Sequence, residues 1–207
     1  MARITSFEQL RTVLAQPRAA TKAKVLPKLD EQGRAFIAAS PFALLATSDQ
    51  AGILEVSPKG DAPGFVKVED EQTLLMPDRP GNNLAYGLQN IIETERAALI
   101  FLMPGTSETF RVSGRAEIRD DADLLAALGT KERPAVLAIR LRIERCYFHC
   151  ARALLRSQLW QPDSWPEPIK VSFGRIIAPR VGGDETMARQ IDESVDTAMT
   201  QRLWKNT

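Results

Sequence analysis

A mainly β protein, one small barrel-like domain with helices at both ends, is the fold class that this sequence predicts. Three observations predict it. Six or so short strand-like runs follow one another through the middle of the chain, separated by turns rich in Gly, Pro and Asp. Helical periodicity gathers at the two ends, with one helix between strands, whereas an alternating βαβ enzyme would need more helices between its strands. No internal repeat or low-complexity linker divides the 207 residues, so a single domain is the simplest organisation. Its core should span about residues 41–165, with a helical extension over 1–40 and a second extension over 166–207 that ends in a helix.

The elements follow in order. Phe7, Leu10, Val13 and Leu14 recur at helical spacing behind Ser6, a candidate cap. A second helix is expected from about Leu29 to Ala39, stopped by Ser40-Pro41. Phe42 to Ser48 is an apolar strand, Asp49 to Gly52 a turn and Ile53 to Lys59 the next strand, followed by a loop over Gly60 to Gly64. Phe65 to Val68 and Thr73 to Met76 make two more strands around a turn. Leu84, Leu88, Ile91 and Ile92 are expected to form the buried stripe of a helix reaching about Thr94. Ala97 to Met103 and Thr109 to Ile118 are strands joined through Pro104-Gly105, Asp121 to Leu128 is a short helix, and Ala135 to Phe148 a long strand. Ala151 to Leu159 reads as helical. From Glu185 to Leu203, apolar residues stand four apart (Met187, Ile191, Val195, Met199, Leu203), a stripe that drifts around a straight helix and fits one wrapping its host or another subunit.

Composition narrows the class. With 27 Lys plus Arg against 26 Asp plus Glu, the formal net charge is +1, which gives no global reason to expect nucleic acid or an anionic membrane. Aromatics at 6% argue against a single-strand nucleic-acid barrel as well. The longest fully apolar run, Ala97 to Met103, is far below the roughly 20 residues that span a bilayer. The opening residues lack a secretory apolar region and two cysteines cannot make a disulfide framework, so a reduced, cytoplasmic protein is expected.

Four segments could carry chemistry. In Pro77-Asp-Arg-Pro-Gly-Asn-Asn83, placed between a strand and a helix, Asn82 or Asn83 is a good N-cap type. A helix start exposes N–H groups that suit a phosphate, and Arg79 would add a permanent cation; a capped helix beside a surface arginine explains the same residues. Alternation along the second strand puts Glu55, Ser57 and Lys59 on one face, with Lys59 able to meet an anion or simply to face solvent. In Thr109 to Arg115, Arg111, Ser113 and Arg115 share a polar face, and Gly114 allows close backbone approach; a ligand face and a solvated face both fit. Cys146-Tyr-Phe-His-Cys150 offers too few ligands for zinc, and in a strand His149 points away from the cysteines, so neither a metal nor a Cys–His nucleophile is expected. The dinucleotide-binding, P-loop and Gly-x-Ser-x-Gly signatures are missing from the sequence.

Together these pieces resemble the FMN-binding split-barrel flavoproteins of the pyridoxamine 5'-phosphate oxidase type, closest to a bacterial subfamily without an assigned substrate. The resemblance rests on Leu44-Leu-Ala-Thr47, Val56-Ser-Pro-Lys-Gly-Asp-Ala-Pro-Gly-Phe65, Pro77-Asp-Arg-Pro-Gly-Asn-Asn83, Leu99 to Gly105, Glu108 to Arg115 and Phe148-His-Cys-Ala-Arg-Ala-Leu154, and covers about Pro41 to Trp165. It implies a Greek-key split barrel and a homodimer with FMN in grooves between the subunits. It maps Ser57 and Lys59 to the ring or ribityl side, Arg79, Asn82 and Asn83 to the phosphate, and Arg111 and Ser113 to a strand that contributes polar contacts.

The chain departs from the oxidase pattern in three places. Gly81-Asn82 stands where the oxidases have an Arg-Lys pair, Leu84 stands where a basic residue is expected, and their C-terminal tryptophan and Arg-Leu-His segment has no counterpart. The implied activity is therefore an FMN-dependent oxidoreductase acting on a small molecule other than pyridoxamine phosphate. In such an enzyme the cofactor supplies the hydride chemistry, and Lys59 or Arg111 would stabilise the reduced anion. A non-catalytic barrel holding flavin, haem or another planar ligand is the alternative, and a deazaflavin in place of FMN stays open.

Overall fold

The computed structural model describes residues 3–201, 203 and 204. Three helices lead into the barrel: α1 (Phe7–Val13), α2 (Ala19–Ala23) and α3 (Glu31–Ala39). Ser6 caps α1 as expected, accepting from the Gln9 amide. Asp30 caps α3 by accepting from Gly33 at 2.7 Å, so this helix begins two residues later than Leu29, which is itself buried in the core. Helix α2 is an addition to the sequence reading; it buries nothing.

Seven strands follow, each overlapping a run that the sequence marks: β1 (Phe42–Ser48), β2 (Leu54–Gly60), β3 (Lys67–Asp70), β4 (Thr73–Asp78), β5 (Arg96–Leu102), β6 (Thr109–Arg119) and β7 (Leu137–His149). They form one antiparallel sheet in the order β2-β1-β5-β6-β7-β4-β3. Four strands lie between β2 and β4 in that order, yet Lys59 Nζ near the end of β2 reaches Asp78 Oδ1 at the end of β4 at 2.6 Å. The sheet must therefore curl round on itself. Side chains, not a backbone ladder, join its two sides, and the barrel is split there.

Inside the curl lies the core. Leu45, Met76, Leu99, Phe101, Val112 and Ile139 are each at most 2% exposed. At one end Phe36 of α3 meets Phe148 edge-on at 5.4 Å, and Phe148 meets Phe110 at 4.7 Å. Pairs of this kind add about 0.5–1.5 kcal/mol beyond their burial, which holds the N-terminal extension onto the barrel.

Helix α4 (Tyr86–Thr94) connects β4 to β5 and departs from expectation. Leu84 precedes the helix and is exposed, and Ile92 is 71% exposed, so of the expected stripe only Leu88 and Ile91 pack inward. The contacting face is polar and small instead. Asn90 Nδ2 donates to Thr47 Oγ1 at 3.1 Å in a buried pair, Thr94 Oγ1 donates to the Ser48 carbonyl, and Gly87 lies against Thr47. An apolar-periodicity rule cannot see such a face.

Four further helices follow: α5 (Ala122–Leu128) between β6 and β7, then α6 (Arg152–Ser157), α7 (Phe173–Ile177) and α8 (Glu185–Gln201) after β7. Helix α8 packs on α7: Ser172 donates to Asp192 Oδ2, Gly174 N–H donates to Asp192 Oδ1 at 2.8 Å, and a Cβ on Gly174 would strike the Ala188 carbonyl. The expected wrapping of this helix is thus, within one chain, packing against α7. Among the described residues no helix is long and apolar enough to cross a membrane.

Candidate functional site

A cavity of about 400 Å³ occupies the split, within the range of small-molecule and cofactor sites. Its walls are the pocket-facing side of β2 (Glu55, Ser57, Lys59), the end of β4 with the following loop (Asp78 to Ala85), the first turn of α4, and Val136-Leu137 at the start of β7. The alternation expected for β2 holds: Leu54, Val56 and Pro58 point outward and are exposed, whereas Glu55, Ser57 and Lys59 are half-buried on the cavity side.

Five of the seven residues singled out in the sequence line this cavity: Ser57, Lys59, Arg79, Asn82 and Asn83. Their local roles are not all those expected. The helix does not start at the asparagines. Asn82 Oδ1 accepts from the Leu84 amide, closing a turn inside the loop; Asn83 and Ala85 have φ of 59° and 55°; and Ala85 is the N-cap residue, without a side-chain cap. Two left-handed residues swing the chain round before Tyr86 can begin α4, so the N-cap rule places the start too early.

Arg79 faces inward. Its Nε donates to Asp61 Oδ2 at 2.9 Å, Nη1 to the Arg133 carbonyl at 2.8 Å and Nη2 to the Leu128 carbonyl at 3.1 Å. Asp61, with a side chain only 3% exposed, also takes Arg133 Nη1 on its other oxygen at 3.0 Å. One carboxylate thus ties together the loop after β2, the loop after β4 and the loop before β7. Lys59 is tied in the same manner to Asp78.

Arg111 and Ser113 lie elsewhere. They project from the outer face of β6, where Arg111 donates to Tyr147 Oη at 3.3 Å and Ser113 borders a shallow groove with Arg96 and Arg145. Within one chain they do not join the other five. Gly114 does permit a close approach, but of the β7 backbone and not of a ligand.

The Cys146 to Cys150 segment divides as strand alternation requires. Cys146 points into the core and donates to the Lys28 carbonyl, His149 lies beside Tyr147 on the outer face, and Cys150 is exposed just beyond β7. Among the described residues no group of three His, Cys, Asp or Glu side chains is arranged to hold a metal. Burial, aided by the charge of Asp30, pushes the Cys146 thiol up to about 11. Burial and then the cations Arg111 and Lys24 lower the His149 pKa, and its Nε2 is buried without a partner among the described residues. A native chain should therefore expose one reactive thiol to a disulfide reagent near neutral pH and two after denaturation. Two fast thiols in the native protein would contradict the burial of Cys146.

Asp61, Asp78 and Arg133 are the site residues that the sequence reading missed. A carboxylate beside each cation was visible, in Gly60-Asp61 and Asp78-Arg79, but which pairs with which depends on the curl of the sheet.

Among curated proteins none matches this chain. Several solved structures are similar to part of this chain. HupZ of Group A Streptococcus is 19% identical over 57% of this chain and 91% of its own, with a TM-score of 0.47. A Lactobacillus delbrueckii protein described as a candidate pyridoxamine 5'-phosphate oxidase is 27% identical over 59% of this chain and 95% of its own, with a TM-score of 0.46. An FMN-binding protein from Syntrophomonas wolfei is 14% identical over 58% of this chain and 85% of its own, also at 0.46. The seven-stranded split sheet accords with a match to the pyridoxamine 5'-phosphate oxidase family model over residues 29–150, more than half of the chain, and the protein belongs to that split-barrel family.

Proposed function

We propose that the cavity at the split holds a flavin, FMN in the first instance, and that the protein is an FMN-dependent oxidoreductase acting on a small molecule. The observation that carries the reading is the convergence of Ser57 and Lys59 with apolar wall residues in one cavity of cofactor size, in a chain of this family. The donor set fits the ring and ribityl parts of such a group. Leu45, Leu88, Val136 and the Tyr86 ring offer apolar surface, Ser57 a hydroxyl and Lys59 an ammonium.

A bound flavin would supply the hydride chemistry. The chain's own part is to bind, orient and exclude water, and to keep the Lys59 cation where negative charge develops on reduction. A lining without a histidine offers no imidazole to haem, since the single histidine stands on the outer face of β7. In this reading the protein is a homodimer. The exposed apolar residues Leu54 and Val56 lie on the same outer face of the sheet as Arg111 and Ser113, the face that a second copy would cover.

The test is a visible spectrum of the purified protein, mass analysis of any released ligand, and quenching of added FMN fluorescence. Yellow protein reducible by NADPH is expected. Lys59→Met should slow that reduction by roughly tenfold or more, in line with losing one charged contact. Absence of any flavin binding at saturating protein would sink the reading. Binding with no reduction by any donor would leave a flavin carrier in its place.

A further inference from the structure

The cavity's ion pairs decide which part of a flavin it recognises. Its lining carries two cations, Lys59 and Arg79, and two anions, Glu55 and Asp78. Neither cation is free. Lys59 is bound to Asp78 at 2.6 Å, and Arg79 is spent on Asp61 and two backbone carbonyls. Arg133, just outside the lining, shares that same Asp61.

The remaining groups near the loop are weaker. Asn82 has turned its side-chain oxygen to the Leu84 amide, and Leu84 itself presents an exposed apolar side chain to the cavity. The start of α4 offers N–H groups and about half a unit of positive charge. A phosphate dianion entering here would have to pull Lys59 or Arg79 from a carboxylate that already holds it, exchanging one charge-assisted bond for another.

Resting on the flavin reading above, we propose that Asp61 and Asp78 set the ligand specificity of this site. By neutralising Arg79 and Lys59 they make it a receptor for the flavin ring and ribityl chain that is nearly indifferent to the phosphate. Riboflavin and FMN are then bound alike.

Titrating the flavin-free protein with riboflavin and with FMN, by fluorescence quenching, tests this directly. The wild-type preference for FMN should be about fivefold or less, the scale of a helix start alone. Asp78→Asn frees Lys59 without removing it, and should raise the preference by roughly ten- to a hundredfold. Thermal melting of that variant shows whether it is folded, and the wild-type ratio needs no variant at all. A wild-type preference above tenfold, or a folded Asp78→Asn protein with an unchanged ratio, overturns the proposal while the flavin reading stands. If neither flavin binds the wild-type chain, the flavin reading falls, and this one with it.

Discussion

Gly114→Ala is expected to cost the fold about 3–4 kcal/mol, the upper end for inserting one methyl group where none fits. Gly114 sits at the irregularity where the register between β6 and β7 shifts after Ser113. A Cβ there would lie 1.9 Å from the Arg142 carbonyl oxygen and 2.9 Å from the Arg142 carbonyl carbon and the Glu144 amide nitrogen. All three are backbone atoms of the adjoining strand, so no side chain can swing aside to make room. The two longest strands would have to part in the middle of the sheet, next to Val112 and Ile143, which are at most 2% exposed. Urea denaturation should show the midpoint falling with the slope unchanged, and the melting temperature should drop by roughly 10 °C. Wild-type stability in the variant would show that β7 relaxes more easily than its place in the sheet implies.

The same pair of strands shows which parts of the structure local sequence rules can reach. Alternation in β2, β6 and the end of β7 was legible because a two-residue period sends neighbouring side chains to opposite faces, and a single-residue slip would turn Val112 or Cys146 out to solvent and Lys59 away from the cavity. Ser6 was legible as the residue that caps a helix for an equally local reason. The start of α4 was not, since Asn82 and Asn83 have the chemistry of caps but spend it on a left-handed turn. Nor was α7, a helix of five residues whose Ser172 cap and Asp192 partner are twenty residues apart.

The cavity divides along the same line. That Ser57 and Lys59 share a face follows from a two-residue period. That Lys59 meets Asp78, and that Arg79 turns to Asp61 and away from a ligand, follows only once the sheet has closed on itself.

That closure alters what Arg79→Ala should do. From the sequence, Arg79 beside a helix start reads as a phosphate-gripping residue, and its loss would weaken FMN binding while sparing riboflavin. In the structure the guanidinium is 16% exposed and holds a carboxylate that is 3% exposed. Removing one partner of a buried pair costs about 3–5 kcal/mol when the other is left alone. Here Arg133 remains on Asp61 Oδ1, so the expected loss is smaller, about 2–3 kcal/mol including the two orphaned carbonyls of Arg133 and Leu128. The three loops that Asp61 ties together would loosen at once, and two of them wall the cavity. FMN and riboflavin should therefore lose affinity by a similar factor, alongside a lower melting temperature. Arg79→Lys should recover little, because an ammonium cannot serve Asp61 and two carbonyls in the planar arrangement that the guanidinium fills. Selective loss of FMN affinity, with stability unchanged, would return Arg79 to the phosphate and show that ligand binding draws it away from Asp61.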